Sequence, residues 1–282
     1  MYDNGLIGLH VDRNYLKKKG ATIEQHIEEA KKKLAIPNLK IAQIFLGPPR
    51  TFKISVTEAG EKSLKEYIKT TGMTIVAHAR YFCVPFSSEV KEGIRHFMQR
   101  EWQLAKRCGI KGIVLHLYRY SKELVTERLI ALKLDPDVKI ILETPAISPD
   151  RAIYDTPKAL YELYVMAKKA GLNVGICIDT AHLFVSGVNL RNKSVMNQYM
   201  QDLTKYIPAD DLLIHLNDSA AKLGSGKDRH ASLGQGYIWR QDTGSLEILL
   251  DYIERYKINV ILERNESNGT LVEDYRIIKS LS

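Results

Sequence analysis

Ile75-Val76-Ala77-His78, Ile113-Val114-Leu115-His116, Ile140-Ile141-Leu142-Glu143, Ile176-Cys177-Ile178-Asp179, Leu212-Leu213-Ile214-His215 and Val260-Ile261-Leu262-Glu263 repeat one pattern: a short apolar run that stops on a side chain able to bind metal. With Leu6–His10 and Ile41–Phe45, they make eight runs of strand length. Between them lie stretches with apolar residues at helical spacing, such as Ile23, Ile27, Ala30 and Leu34 against a mixed Glu/Lys face. Thr22 with Gln25 reads as a capping box, Ser55–Glu58 opens the next helix in the same way, and Gly72 reads as its stop. Further helices are expected over Ser87–Cys108, Ser121–Leu134, Thr156–Ala170, Val195–Tyr206, Ser245–Tyr256 and from Val272 onward.

Strands apolar enough to be buried on both faces, alternating with eight helices, predict a parallel (β/α)8 TIM barrel, an α/β fold in one domain over 1–282. A doubly wound open sheet is the rival, but it gathers its site at one switch point. A closed barrel brings all strand C-termini to one ring, so His78, His116, Glu143, Asp179, His215 and Glu263 converge despite their distance in sequence. The Gly-, Ser- and Asp-rich stretch Leu216–Thr243 is the longest irregular piece, and loops of that length are often functional.

Composition narrows the class. The 282 residues are 45% hydrophobic and 26% charged, with mean hydropathy −0.21, as in soluble globular proteins. No apolar run approaches the ~18 residues of a membrane span, and no signal-peptide pattern opens the chain. Three cysteines, Cys83, Cys108 and Cys177, imply no paired framework and fit a reducing, intracellular compartment: cytoplasm, nucleus, or a virion if the chain is viral. The net charge of +8 favours an anionic partner.

Adding His182, Asp228 and His230 just downstream of two stops gives five His, two Asp and two Glu, without a thiolate. That donor set suits Zn2+ and also accepts Mn2+ or Fe2+. Nine donors exceed one tetrahedral ion and match two or three ions sharing a bridging carboxylate. Clustered divalent metals in a basic protein point to phosphate-ester hydrolysis. His26 and His96 read as solvated. His10 reads as a partner of a metal ligand or as structural, and Cys177 as a small core residue.

The motifs go further. Cys177-Ile178-Asp179-Thr180-Ala181-His182 with Ser186-Gly187 resembles the central signature of the endonuclease IV family of apurinic/apyrimidinic (AP) endonucleases. His215-Leu216-Asn217-Asp218-Ser219, Gly224-Ser225-Gly226-Lys227-Asp228-Arg229-His230 and Gly234-Gln235-Gly236 resemble its second signature. Leu9-His10-Val11, His78 with Tyr81, and Ile261-Leu262-Glu263 extend the match over nearly the whole chain. The details are similar to divergent members encoded by large DNA viruses.

The resemblance implies three zinc ions per chain, one site being open to Mn2+ or Fe2+. His78, His116 and Glu143 would hold the first ion. Glu143, Asp179, His215 and Glu263 would hold the second, with Glu143 shared. His182, Asp228 and His230 would hold the third. Glu143, Asp179 and Glu263 would be the catalytic carboxylates. The implied reaction, within base excision repair, is cleavage of double-stranded DNA 5′ to an abasic site, leaving a 3′-hydroxyl and a 5′-deoxyribose phosphate, with trimming of blocked 3′ ends. A monomer is expected, with a polymerase and a ligase acting downstream. Arg50, Tyr81 and Arg229 would contact DNA. The plainer alternatives are a core aromatic at Tyr81 and a simple phosphate contact or solvated charge at Arg50. The sequence departs from the family's usual pattern at His78-Ala79-Arg80-Tyr81-Phe82, His116-Leu117-Tyr118-Arg119 and Thr144-Pro145, all in loops and without loss of a candidate ligand. A divalent-metal sugar isomerase or epimerase on the same barrel, and a non-catalytic DNA-binding protein with a structural metal, are the competing functions.

Overall fold

A computed structural model describes residues 5–12, 15–16, 20–86, 90–264 and 270–281. Its strands in chain order are β1 (Ile7–Val11), β2 (Ile41–Ile44), β3 (Thr74–His78), β4 (Gly112–His116), β5 (Lys139–Glu143), β6 (Val174–Asp179), β7 (Leu212–His215), a pair of two-residue strands β8 (Asp218–Ser219) and β9 (His230–Ala231), and β10 (Asn259–Leu262). Eight of them close a barrel in the order β1-β10-β7-β6-β5-β4-β3-β2, each pairing parallel with its neighbours. The expected (β/α)8 barrel is therefore what the chain forms.

The helices are α1 (Ile23–Lys33), α2 (Glu58–Thr71), α3 (Glu92–Cys108), α4 (Lys122–Leu132), α5 (Pro157–Lys169), α6 (Thr180–Val185), α7 (Lys193–Tyr206), α8 (Gly244–Tyr256) and α9 (Thr270–Ser280). At the start of α1, Gln25 Oε1 accepts the Thr22 backbone N–H at 3.2 Å. At α2 the cap is Thr57 rather than Ser55: its hydroxyl accepts from Gly60 N at 3.2 Å, and Gly72 ends the helix with φ 67. The helix expected from Ser87 begins at Glu92; Ser87 itself lies outside the described residues. The helix expected to run to Leu134 stops at Leu132, because Lys133 turns left-handed (φ 49). α6 was not expected, since it starts on the residue after β6, with Asp179 as its cap.

The barrel's inside is layered. Ile41, Val76, Val114, Ile141, Cys177, Leu213 and Ile261 form one buried cluster, one residue from each of seven strands. At that level β1 contributes Gly8, where an added Cβ would meet the Ile41 carbonyl oxygen at 2.1 Å, so the strands' close approach leaves room for no side chain. Strand side chains repeat with period two. Two residues beyond each of these positions stand His10, Gln43, His78, His116, Glu143, Asp179, His215 and Glu263, a second ring at the C-terminal mouth. The apolar layer is the floor of the candidate site, and six of the eight ring positions are the strand stops read from the sequence.

Candidate metal centre

Three sets of ligating atoms each gather within 4.8 Å: His78, His116 and Glu143; Glu143, Asp179, His215 and Glu263; and Asp179, His182 and His230. Asp228 reaches the third set from the loop after β7, its Oδ1 lying 3.3 Å from His182 Nε2 and 3.2 Å from His230 Nε2. All nine residues singled out from the sequence thus come together. The structure adds that Asp179 stands between the second and third sets: its Oδ2 is 3.6 Å from His230 Nε2 and 4.0 Å from His215 Nδ1.

Hydrogen bonds behind the imidazoles decide which nitrogen faces inward. Nδ1 of His78 lies 2.7 Å from the Ala79 carbonyl, that of His182 2.8 Å from the Thr144 carbonyl, and that of His230 3.2 Å from the Glu263 carbonyl. A carbonyl only accepts, so each Nδ1 carries a proton and Nε2 is the nitrogen turned to the centre, free to offer a lone pair to a metal once it gives up its own proton. Nε2 of both His182 and His230 is buried without a hydrogen-bond partner. Nε2 of His78 faces Nε2 of His116 at 3.2 Å, with Glu143 Oε2 2.9 Å from His116. Buried ring nitrogens and carboxylates crowded together without hydrogen-bond partners are costly. A cation among them removes that cost, so the donors fit a hard-to-borderline divalent metal.

Charges agree with this. Burial works against the imidazolium forms, but the neighbouring carboxylates overcome it: His78, His182 and His215 are held above the usual imidazole range, and His230 is raised to about 9. Burial likewise opposes the carboxylate forms. Even so, His116 and His215 hold Glu143, His215 holds Glu263, and His182 and His230 hold Asp228 below the usual carboxylate range. Protons on the rings thus balance the carboxylates, and metal binding must release them. His10 differs: burial lowers it to about 4, so it is neutral.

Around this centre opens a cavity of about 430 Å3, whose wall includes His10, Phe45, Tyr81, Arg229 and Arg264. Tyr81 is 50% exposed, so its ring is a rim aromatic and not a core residue. Arg50 is exposed on the loop after β2 and outside the cavity wall, though the neighbouring Pro49 carbonyl accepts the Tyr81 N–H at 3.2 Å. His96 is exposed, whereas His26, expected to be solvated, is 4% exposed, and its Nδ1 accepts the Leu16 N–H at 3.2 Å.

Sequence reasoning passed over the residues that brace the centre. Asn217 donates to Asp179 Oδ2 at 2.6 Å and accepts the Glu263 N–H at 3.2 Å; Thr144 accepts the Asp179 N–H at 2.9 Å. Gln43 touches both His215 and Glu263. The signal for Gln43 was its place two residues after an inward Ile, the spacing of every other ring member. In the loop after β7, the Asp218 carboxylate accepts N–H groups from Ser219, Gly234, Gly236 and Ile238 at 2.7–3.1 Å. An added Cβ on Gly236 would meet Asp218 Oδ1 at 2.3 Å, so only glycine lets the backbone come this near.

Residues 38–243 match the family model described as xylose isomerase-like TIM barrel, so fold and donor ring together define that class. A probable AP endonuclease of African swine fever virus is 37% identical over 255 residues, covering 86% of each chain. A probable endonuclease 4 of Mesomycoplasma hyopneumoniae is 30% identical over 211 residues, 70% of this chain and 74% of the relative. The crystal structure described as AsfvAP:AG superposes with TM-score 0.90 at 33% identity over 99% of both chains. The chain belongs to the endonuclease IV family of AP endonucleases, within the xylose isomerase-like barrels, and is a hydrolytic endonuclease.

Proposed function

We propose that this protein binds three zinc ions, one site also accepting Mn2+ or Fe2+, and hydrolyses the phosphodiester 5′ to abasic sites in double-stranded DNA. The products are a 3′-hydroxyl and a 5′-deoxyribose phosphate, and the same centre trims blocked 3′ ends. The observation that carries this reading is the orphaned pair of buried nitrogens, His182 Nε2 and His230 Nε2, aimed at Asp228 at the mouth of the ring. A one-metal or two-metal sugar isomerase has no use for that third set.

The first ion belongs to His78, His116 and Glu143, the second to Glu143, Asp179, His215 and Glu263, and the third to His182, Asp228 and His230, with Asp179 beside it. Bound cations supply the charge that lowers the pKa of water to roughly 7 and offsets charge on the phosphate. The chain's own groups do the rest. Glu143, Asp179 and Glu263 put the negative charge that holds the centre in the ring above the apolar floor, so a phosphate is drawn in only when cations outweigh it. Arg229, exposed on the cavity wall, offers guanidinium donors to the phosphates flanking the scissile bond, while Arg264 beside it is tied to Asp274. Tyr81 presents its ring to a base left without a partner, and Arg50 on the adjacent loop takes a backbone phosphate or the gap itself.

The protein then works as one barrel domain over 1–282, as a monomer on DNA, in base excision repair inside a reducing compartment, ahead of a polymerase and a ligase. No helix among the described residues is long and apolar enough to cross a membrane.

The test is a duplex carrying one tetrahydrofuran abasic analogue, which cannot undergo β-elimination, with zinc-loaded and chelator-treated protein. A single nick 5′ to the lesion, lost on chelation, is expected. An intact strand with folded, zinc-loaded protein overturns the reading and makes sugar epimerisation the next assay.

A further inference from the structure

Six of the eight ring positions carry candidate ligands; β1 and β2 contribute His10 and Gln43, which pair in register with each other. Gln43 is fully buried. Its Nε2 lies 2.7 Å from Glu263 Oε1 and 3.0 Å from His10 Nδ1, and its Oε1 lies 2.9 Å from His215 Nε2.

These three contacts admit one arrangement of protons. A carboxylate can only accept, so the amide nitrogen faces Glu263 and the amide oxygen is turned to His215. That oxygen needs a donor, so His215 carries a proton on Nε2 and directs Nδ1 to the centre, where Glu263 Oε2 lies at 2.9 Å and Glu143 Oε1 at 3.0 Å; Nδ1 is the nitrogen a metal would take once its proton leaves. The amide's second N–H is used only if His10 Nδ1 accepts, which places the His10 proton on Nε2. One amide thus sets the tautomer of one member of the second set and pins an oxygen of another, and His10 keeps the amide from turning over.

We propose that Gln43 is a positioning residue of the second metal set, held in orientation by His10, so that two strands contributing no ligand govern how tightly that set binds its cation. The proposal rests on the metal reading above. Losing such an outer partner typically weakens metal affinity about 10- to 100-fold. The shift is confined to one set, because Gln43 touches neither the His78/His116 pair nor the His182/Asp228/His230 group.

The experiment uses zinc-loaded protein dialysed against a graded chelator series, reading bound zinc per chain, together with tetrahydrofuran-duplex affinity and single-turnover incision. Gln43→Met keeps the volume and removes all three hydrogen bonds. It is expected to release one zinc at a free-zinc level about 10- to 100-fold higher than wild type requires, with the other two retained and DNA affinity of the fully loaded form unchanged. His10→Phe leaves Gln43 and every ligand in place and is expected to move the same step by a smaller factor; it answers the question should Gln43→Met fail to fold. Wild-type release curves for both variants overturn the proposal while leaving the metal reading standing. A wild-type protein that retains no zinc overturns both.

Discussion

Replacing Asp218 with Asn tests how the long loop after β7 delivers Asp228 and His230 to the centre. The Asp218 carboxylate is fully buried. Oδ1 accepts from Ser219 N at 2.7 Å and Ile238 N at 2.9 Å; Oδ2 accepts from Gly234 N at 3.1 Å and Gly236 N at 3.0 Å, with Trp239 N at 3.4 Å. Asparagine keeps the shape but turns one oxygen into an NH2 group. Its better orientation leaves the oxygen on the Oδ2 side, so the amide nitrogen confronts the Ser219 and Ile238 N–H groups. Two buried donors lose their acceptor at ~1–3 kcal/mol each, about 4 kcal/mol in all. At about 2–4 °C per kcal/mol for chains somewhat shorter than this one, the melting temperature should fall by roughly 8–16 °C. Calorimetry of the zinc-loaded proteins gives that shift. Amide exchange over residues 232–239 should speed up, while β4 and β5 keep their protection. A variant melting within about 1 °C of wild type, with this loop equally protected, would refute the idea that one carboxylate organises it.

Four further outcomes can be checked directly. Glu263→Gln should keep the fold and DNA affinity and lose orders of magnitude in single-turnover incision, since it removes charge from the second metal set; near-normal turnover contradicts the role given to Glu263. Arg80 and Glu101 form a buried ion pair at 3.1 Å, and Glu101→Ala, which leaves the guanidinium its bonds to the Gly47 and Lys53 carbonyls but no counter-charge, should cost about 3–5 kcal/mol in urea unfolding. Adding Arg80→Met should recover part of that loss, and an equally unstable double variant would argue against a stranded charge. Burial pushes Asp274 up to about 6 against the pull of Arg264, above its unfolded value of 3.8. Its contribution is therefore full below pH ~4 and fades as pH rises through ~6, up to about 3 kcal/mol; in chelator-treated protein Asp274→Asn should lose that slope, and an unchanged slope assigns it elsewhere. Finally, DNA affinity should fall steeply between about 50 and 200 mM salt, and a flat titration is incompatible with phosphate contacts.

The barrel was legible because most of its strands announce themselves twice, by an apolar run and by the polar residue on which it stops. That stop follows from period two: Val76 and His78, or Leu213 and His215, point the same way, one into the floor and one into the mouth. The reading missed Gln43 because glutamine is not a metal-ligand type, and the run Ile41–Phe45 carries on past it. It misjudged His26 because charged helical neighbours say nothing about a distant segment, here Leu16, folding over the ring. It left Leu216–Thr243 as irregular because the order there comes from one carboxylate gathering backbone N–H groups, a pattern without periodicity. The convergence of the six strand-end donors could be read from topology, and that of His182, Asp228 and His230 only from the motifs that hold them; the tautomers could not be read at all, since those depend on carbonyls such as those of Ala79 and Thr144.

The ring takes one member from each of eight strands, the first at position 10 and the last at position 263. A growing or clipped chain that has not yet laid β10 between β1 and β7 lacks Glu263, and with it the carbonyl that orients His230 and the carboxylate that Gln43 holds. Such a chain cannot assemble the centre from its remaining pieces. Laying β10 between its two neighbours therefore completes the donor ring in the same act that closes the barrel.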